Sequence, residues 1–135
     1  MKFKLEVPTE IDFDLIGISC HQQDYKICWH INQLMGITLT KQEDIHINIQ
    51  NKKSQHSYFL FDDEENFMLI ELFKNKGMPQ YLIPDYQNID YFVKLNNNSQ
   101  YNLDDLIKQI RSLDCILTAV KLDPEQLKYA ENLMF

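Results

Sequence analysis

Tyr58-Phe59-Leu60-Phe61, then Asp62-Asp63-Glu64-Glu65-Asn66, then Phe67-Met68-Leu69-Ile70-Glu71-Leu72-Phe73: two apolar runs flank five polar residues. Each run has the length and the aromatic and branched content of a strand, and the acidic stretch between them reads as a hairpin loop. A tight hairpin joins antiparallel strands, so this stretch makes the sheet antiparallel.

The surroundings agree with that sheet. Upstream, Ile45, Ile47 and Ile49 alternate with His46 and Asn48, the period of a half-buried strand. Downstream, Asn75-Lys76-Gly77 supplies a turn. Ile89, Tyr91, Val93 and Leu95 then alternate with Asp90, Phe92 and Lys94, giving a strand whose polar face is interrupted by Phe92. Residues 3–7 and 13–20 read as two further strands, the second a short apolar run containing Gly17.

Elsewhere the apolar period changes from two to 3.6. Ile27, Cys28, Ile31, Leu34 and Met35 share one face of a helix over 23–35, which Gly36 ends. Leu103, Leu106, Ile107, Ile110 and Leu113 form the apolar stripe of a second helix, with Asn102 placed to cap it. Residues 115–120 read as a short buried strand. Asp123-Pro124-Glu125-Gln126 then carries an N-cap, a proline at the first helical position and a capping-box partner, and Leu122 and Leu127 are spaced as a staple. These signals predict a third helix. The expectation is an α+β fold over residues 1–135, a single domain with a mainly antiparallel sheet covered by about three helices on one face.

Charge narrows the function. Thirteen Lys and Arg face twenty Asp and Glu, a net charge of −7, and Arg111 is the only arginine. No basic face is available to neutralise phosphates, which argues against nucleic acid and against an anionic membrane surface. No apolar run approaches the roughly 20 residues of a membrane helix, and residues 1–10 lack a signal peptide's apolar segment. Three cysteines, Cys20, Cys28 and Cys115, are an odd count that suits a reducing compartment, so a cytoplasmic address is expected.

Chemical motifs are sparse. Cys20, His21 and His30 invite a zinc reading, but residues two apart on a helix, such as Cys28 and His30, point about 200° apart and cannot share an ion. Neighbours Cys20 and His21 would face opposite sides of a strand, which weakens a thiol–imidazole pair. His46 and His56 lie on or beside adjacent strand segments and could meet across a ladder. The acidic run 62–65 lacks the spaced ligands and glycine of a calcium loop. Gly17, Gly36 and Gly77 are isolated, so no glycine-rich phosphate loop is present. No cofactor and no catalytic residue is expected.

The segment that stands out is Leu82-Ile83-Pro84-Asp85-Tyr86-Gln87-Asn88-Ile89-Asp90-Tyr91-Phe92, rich in aromatics and carrying Asp90 as the one acid in an apolar strand. Ile83-Pro84-Asp85, three residues, then Ile89-Asp90-Tyr91 resembles the signature of the bacterial IPExxxVDY family. Asp85 stands where that signature has Glu and Ile89 where it has Val, both conservative departures. Residues 13–18, the stretch from Asp24-Tyr25-Lys26 through Trp29 to Asn32, and the terminal 127–135 are also similar to it. The resemblance implies a whole-chain domain and brings no cofactor, substrate or catalytic residue with it.

The function expected is therefore a non-enzymatic accessory module that binds a protein partner or a second copy of itself as a homodimer. Trp29, Asp85, Tyr86, Asp90 and Tyr91 are the candidate binding residues, aromatic types favoured at interfaces with two acids beside them. The alternative is a small-ligand or enzymatic cleft in which Asp90 meets His46 or Lys94. Zinc at Cys20, His21 and His30 is the weaker alternative.

Overall fold

The computed structural model describes residues 13–134. The expected strand at 3–7 lies outside the described residues. Eight strands and two α-helices follow in the order β1 (Asp14–Cys20), α1 (Asp24–Met35), β2 (Thr40–Lys41), β3 (Ile45–Ile49), β4 (Lys52–His56), β5 (Tyr58–Asp63), β6 (Met68–Lys74), β7 (Tyr91–Asn96), α2 (Leu103–Arg111) and β8 (Ile116–Leu122).

Six strands form one antiparallel sheet in the order β2-β5-β6-β7-β1-β8, and β3 and β4 pair separately as a hairpin. The β5–β6 hairpin is the one its sequence predicted, in register from Tyr58 opposite Phe73 to Asp63 opposite Met68. β1 lies between β7 and β8 and is antiparallel to both, so those two strands run parallel with α2 crossing between them.

Strand alternation sorts the side chains onto two faces. Ile16, Ile18, Ile70, Leu72, Val93 and Leu95 point to one face and pack against Ile27 and Ile31 of α1 and Leu106, Ile107 and Ile110 of α2. Leu15, Phe73 and Phe92 point to the other, where Ile49 of the small hairpin, Leu82, Ile83 and Ile89 of the β6–β7 connection, and Leu127, Ala130 and Leu133 cover them. Each large apolar side chain so buried contributes on the order of 2 kcal/mol before conformational entropy is charged against it.

The helix ends follow their sequence signals. Gly36 takes a left-handed conformation, φ 66°, and returns its N–H to the carbonyl of Asn32. The Asn32 side chain then accepts from the Leu39 N–H at 2.7 Å and donates to the Leu39 carbonyl at 3.2 Å, fixing the chain that leaves α1. Asn102 caps α2 through its side-chain oxygen and the Asp105 N–H at 3.0 Å.

The predicted third helix is corrected. Asp123 does cap, accepting from the Glu125 N–H at 3.0 Å, and Pro124 does open a helical turn. The turn is a 3-10 turn that ends at Gln126, and a second one spans Ala130–Leu133. Leu127 goes extended instead, because tertiary contacts hold it, Ala130 and Leu133 against the sheet. The Asn132 amide donates to the Leu82 carbonyl at 2.7 Å, and the Lys94 ammonium donates to the Leu133 carbonyl at 2.7 Å. Local capping signals start a helix, but these contacts decide its length. Among the described residues there are thus two α-helices where about three were expected.

β4 is a second departure. Lys52-Lys53-Ser54-Gln55-His56 shows no apolar alternation, yet it pairs along the full length of β3. Gln50 and Asn51 make the two-residue turn, both at positive φ (51° and 66°), the geometry that matches strand twist in a hairpin.

Candidate functional site

The candidate segment is organised by a residue outside it. Asn75 is fully buried, and its side-chain amide donates to the carbonyls of Tyr86 at 2.9 Å and Ile89 at 2.8 Å. Its side-chain oxygen accepts from the Ile83 N–H at 2.8 Å, and its backbone N–H and carbonyl bond to the Asp90 carbonyl and the Leu82 N–H. One asparagine therefore satisfies the buried polar groups of an irregular stretch that no ladder serves. Sequence reasoning treated Asn75 only as a turn former. Nothing local distinguishes it, because its partners lie seven to fifteen positions ahead.

Around that post, Ile83 and Ile89 are buried and residues Pro84–Tyr86 form a 3-10 turn. Asp85 is exposed on the turn. Tyr86 is half-buried against the second core. Asp90 and Tyr91 face the end of β1. The Asp90 carboxylate accepts from the Cys20 N–H at 2.9 Å, and the Tyr91 hydroxyl donates to the Gln22 carbonyl at 2.6 Å. Ser19 adds a third tie, its hydroxyl donating to the Asn88 carbonyl at 2.7 Å. Three contacts thus pin residues 19–22, the connection from β1 into α1.

This changes the standing of two candidates. Tyr91 is 2% exposed and part of the helix-side core, so its ring presents nothing to a partner. Burial pushes its hydroxyl well above the ordinary tyrosine range and keeps it a neutral donor. Asp90 does not meet His46 or Lys94. Its carboxylate is bonded to its own chain's backbone, and Lys94 is buried beside Glu71.

Trp29 lies elsewhere, on the outer face of α1. Trp29 and Tyr25 are each 58% exposed and four residues apart, hence neighbours one turn along the helix. The His30 ring stands edge-on to Trp29 with centroids 5.1 Å apart. Gln22, Tyr25, Lys26, Trp29 and His30 line an open depression of about 490 Å³. A second depression, of about 550 Å³, shares Gln22 and His30 and continues over Leu113, Asp114 and Cys115. Tyr25, an interface-type aromatic one turn before Trp29, joins it on this face. The structure does not gather the candidates in one place, but it links them. Asp90 and Tyr91 hold the chain that leads into the helix carrying Trp29.

Burial raises the thiols of Cys20 and Cys28 above their ordinary value, which keeps them protonated and unreactive. Among the described residues, no group of three or more His, Cys, Asp and Glu side chains is placed to hold a metal ion. His46 is exposed and pairs in register with Gln55, while His56 is buried opposite Ile45, so the two histidines do not meet. No helix among the described residues is long and apolar enough to cross a membrane. No family model matches the chain, and no curated protein matches it.

Proposed function

We propose that this chain is a non-enzymatic cytoplasmic module of the IPExxxVDY type that binds a protein, another chain or a second copy of itself, through the outer face of α1. The observation that carries this reading is the pair Tyr25 and Trp29, each 58% exposed on a helix whose entry is tied by three hydrogen bonds. Aromatic side chains on a rigid helix lose little conformational entropy when they dock, which is why such residues dominate binding energy. The neighbouring Lys26 and His30 give the face a polar rim, while the net charge of −7 disfavours a nucleic-acid partner.

The test is affinity purification of the tagged protein from its own host, read by mass spectrometry, beside the Tyr25→Ala/Trp29→Ala variant. A partner retained by the parent and lost by the folded variant supports the reading. A partner held equally by both moves the interface off α1. Light scattering at micromolar concentration distinguishes self-association, which the same double substitution is expected to abolish.

A further inference from the structure

His56 is 1% exposed, and among the described residues its Nε2 is a buried polar atom with no hydrogen-bond partner. Its Nδ1 lies 3.1 Å from the Lys74 carbonyl, an acceptor, so Nδ1 carries the hydrogen and Nε2 is a bare lone pair. The ring is closed in by Gly77. A Cβ there would stand 2.3 Å from the His56 Cε1 and 2.5 Å from the Gln55 carbonyl oxygen. Lone pairs left in such a place tolerate neutrality and not charge.

The ring sits where the β3–β4 hairpin meets the body of the protein. That hairpin is not a ladder member of the main sheet. It attaches through β4 to the turn after β6, by reciprocal Gln55–Met78 backbone bonds at 3.2 Å and a Ser54–Gln80 pair at 3.2 Å. Its apolar side, Ile49 with the half-buried Ile45 and Ile47, lies on the second core. Few bonds and one small apolar face hold it, the makings of a unit that opens by itself.

We propose that His56 makes the β3–β4 hairpin an acid-released flap, closed on the second core while the ring is neutral and opened when Nε2 takes a proton.

The groups around the ring oppose protonation in place. Burial is the leading influence and holds the imidazole below its usual value of 6.5. The carbonyls of Lys74 and Asn75 and the carboxylate of Asp44 pull the other way. The Asp44 carboxylate is already engaged by the Lys41 ammonium and the Gln55 amide. Lys74, at the end of β6, and Lys76, in the turn after it, are basic residues and offer a charged ring no acceptor. Opening exposes the ring to water and restores its ordinary affinity, so the open form binds more protons than the closed one below 6.5. The closed form is therefore fully favoured above that pH and loses ground as pH falls through it, about tenfold in the opening equilibrium per unit until the closed ring itself titrates.

Hydrogen exchange read by mass spectrometry on the full chain, corrected for intrinsic rates, tests this between pH 7.5 and 5.0. Protection in residues 45–56 is expected to fall as the pH is lowered while β7 and α2 stay protected. The His56→Asn variant, which keeps a donor near the Nδ1 position and cannot titrate, is expected to remove that pH dependence. Unchanged protection in the parent overturns the proposal, and so does an equal loss in the variant. Should His56→Asn fail to fold, the ring's own NMR titration in the parent decides. A midpoint below 6.5 that coincides with loss of hairpin protection supports the flap, and a midpoint at or above 6.5 with the hairpin still protected overturns it.

Discussion

The carboxylate of Asp90 accepts a hydrogen bond from the backbone N–H of Cys20 across 2.9 Å, joining the start of β7 to the last residue of β1. Two backbone bonds flank it, Asp90 N–H to the Ile18 carbonyl at 2.8 Å and Asn75 N–H to the Asp90 carbonyl at 2.9 Å. Asp90 is therefore a joint between β6, β7 and β1, and its side chain continues the β1–β7 ladder one step past the last backbone pair.

Replacing Asp90 with alanine leaves the Cys20 N–H without its partner and is expected to cost about 1–3 kcal/mol of stability. Asp90→Asn keeps an oxygen acceptor and is expected to cost less. Urea unfolding followed by the fluorescence of Trp29, the only tryptophan, measures both. An alanine variant as stable as the parent would show that the joint holds without the carboxylate.

A charged pair is buried on the second face of the sheet. Glu71 and Lys94 are register partners on β6 and β7, 3.5 Å apart and 4% and 6% exposed. Tyr58 donates to Glu71 at 2.6 Å, Asn96 donates to it at 2.8 Å, and Lys94 donates to the Leu133 carbonyl. Lys94→Met strands the carboxylate and is expected to cost about 3–5 kcal/mol, whereas Lys94→Met combined with Glu71→Gln is expected to recover part of that loss. A double-mutant cycle by chemical denaturation reads the difference. Equal losses in the single and double variants would mean that packing, not charge, governs the site.

Legibility in the sequence follows the range of the interactions. α2 was readable because the Leu106, Ile107 and Ile110 stripe and the Asn102 cap act within one turn. The β5–β6 hairpin was readable because its acidic turn separates two apolar runs. Alternation puts Lys94 on the strand's polar face but cannot show its burial beside Glu71, twenty-three positions upstream. β4 was invisible, since Ser54 and His56 are polar residues buried by the turn that packs on them. The third helix was overcalled because every signal at Asp123 is local and the contacts that end it reach to Leu82 and Lys94. For the candidate site, the sequence singles out residues 83–91 by their aromatics and Asp90. Their role was not legible, because the partners of Asp90 and Tyr91 lie about seventy positions away.

The buried tyrosines carry an alkaline signature. Burial raises the hydroxyls of Tyr58 and Tyr91 above the ordinary value of 10, with the Glu71 carboxylate adding to the effect at Tyr58. Unfolded tyrosine releases its proton near 10 while the native residue keeps it, so above that pH the native state binds more protons. Stability is then complete below pH 10 and falls as pH rises beyond it. Thermal unfolding at pH 9 to 11 should show a steep loss, and Tyr91→Phe should reduce it, leaving the Tyr58 share, while lowering stability at pH 7 by about 1 kcal/mol through the lost bond to Gln22. An unchanged alkaline slope in that variant would place the ionisation elsewhere.

Two glycines separate backbone strain from close approach. Gly36 ends α1 at φ 66°, and a Cβ there would meet nothing within 4 Å. Gly36→Ala is accordingly expected to cost about 1 kcal/mol, the price of a left-handed alanine alone. Gly77 has no positive φ to accommodate, but a Cβ would press on the His56 ring at 2.3 Å and on the Gln55 carbonyl oxygen at 2.5 Å. The ring is fixed by the Lys74 carbonyl and the oxygen belongs to β4, so neither retreats without moving the hairpin. Gly77→Ala should cost more, about 1–3 kcal/mol in overpacking, and the loss should be local, with faster hydrogen exchange in residues 45–56 than in α2. Gly36→Ala should instead fray the end of α1 and leave the hairpin alone. Equal exchange profiles for the two variants would contradict the view that Gly77 exists to let the backbone close on His56.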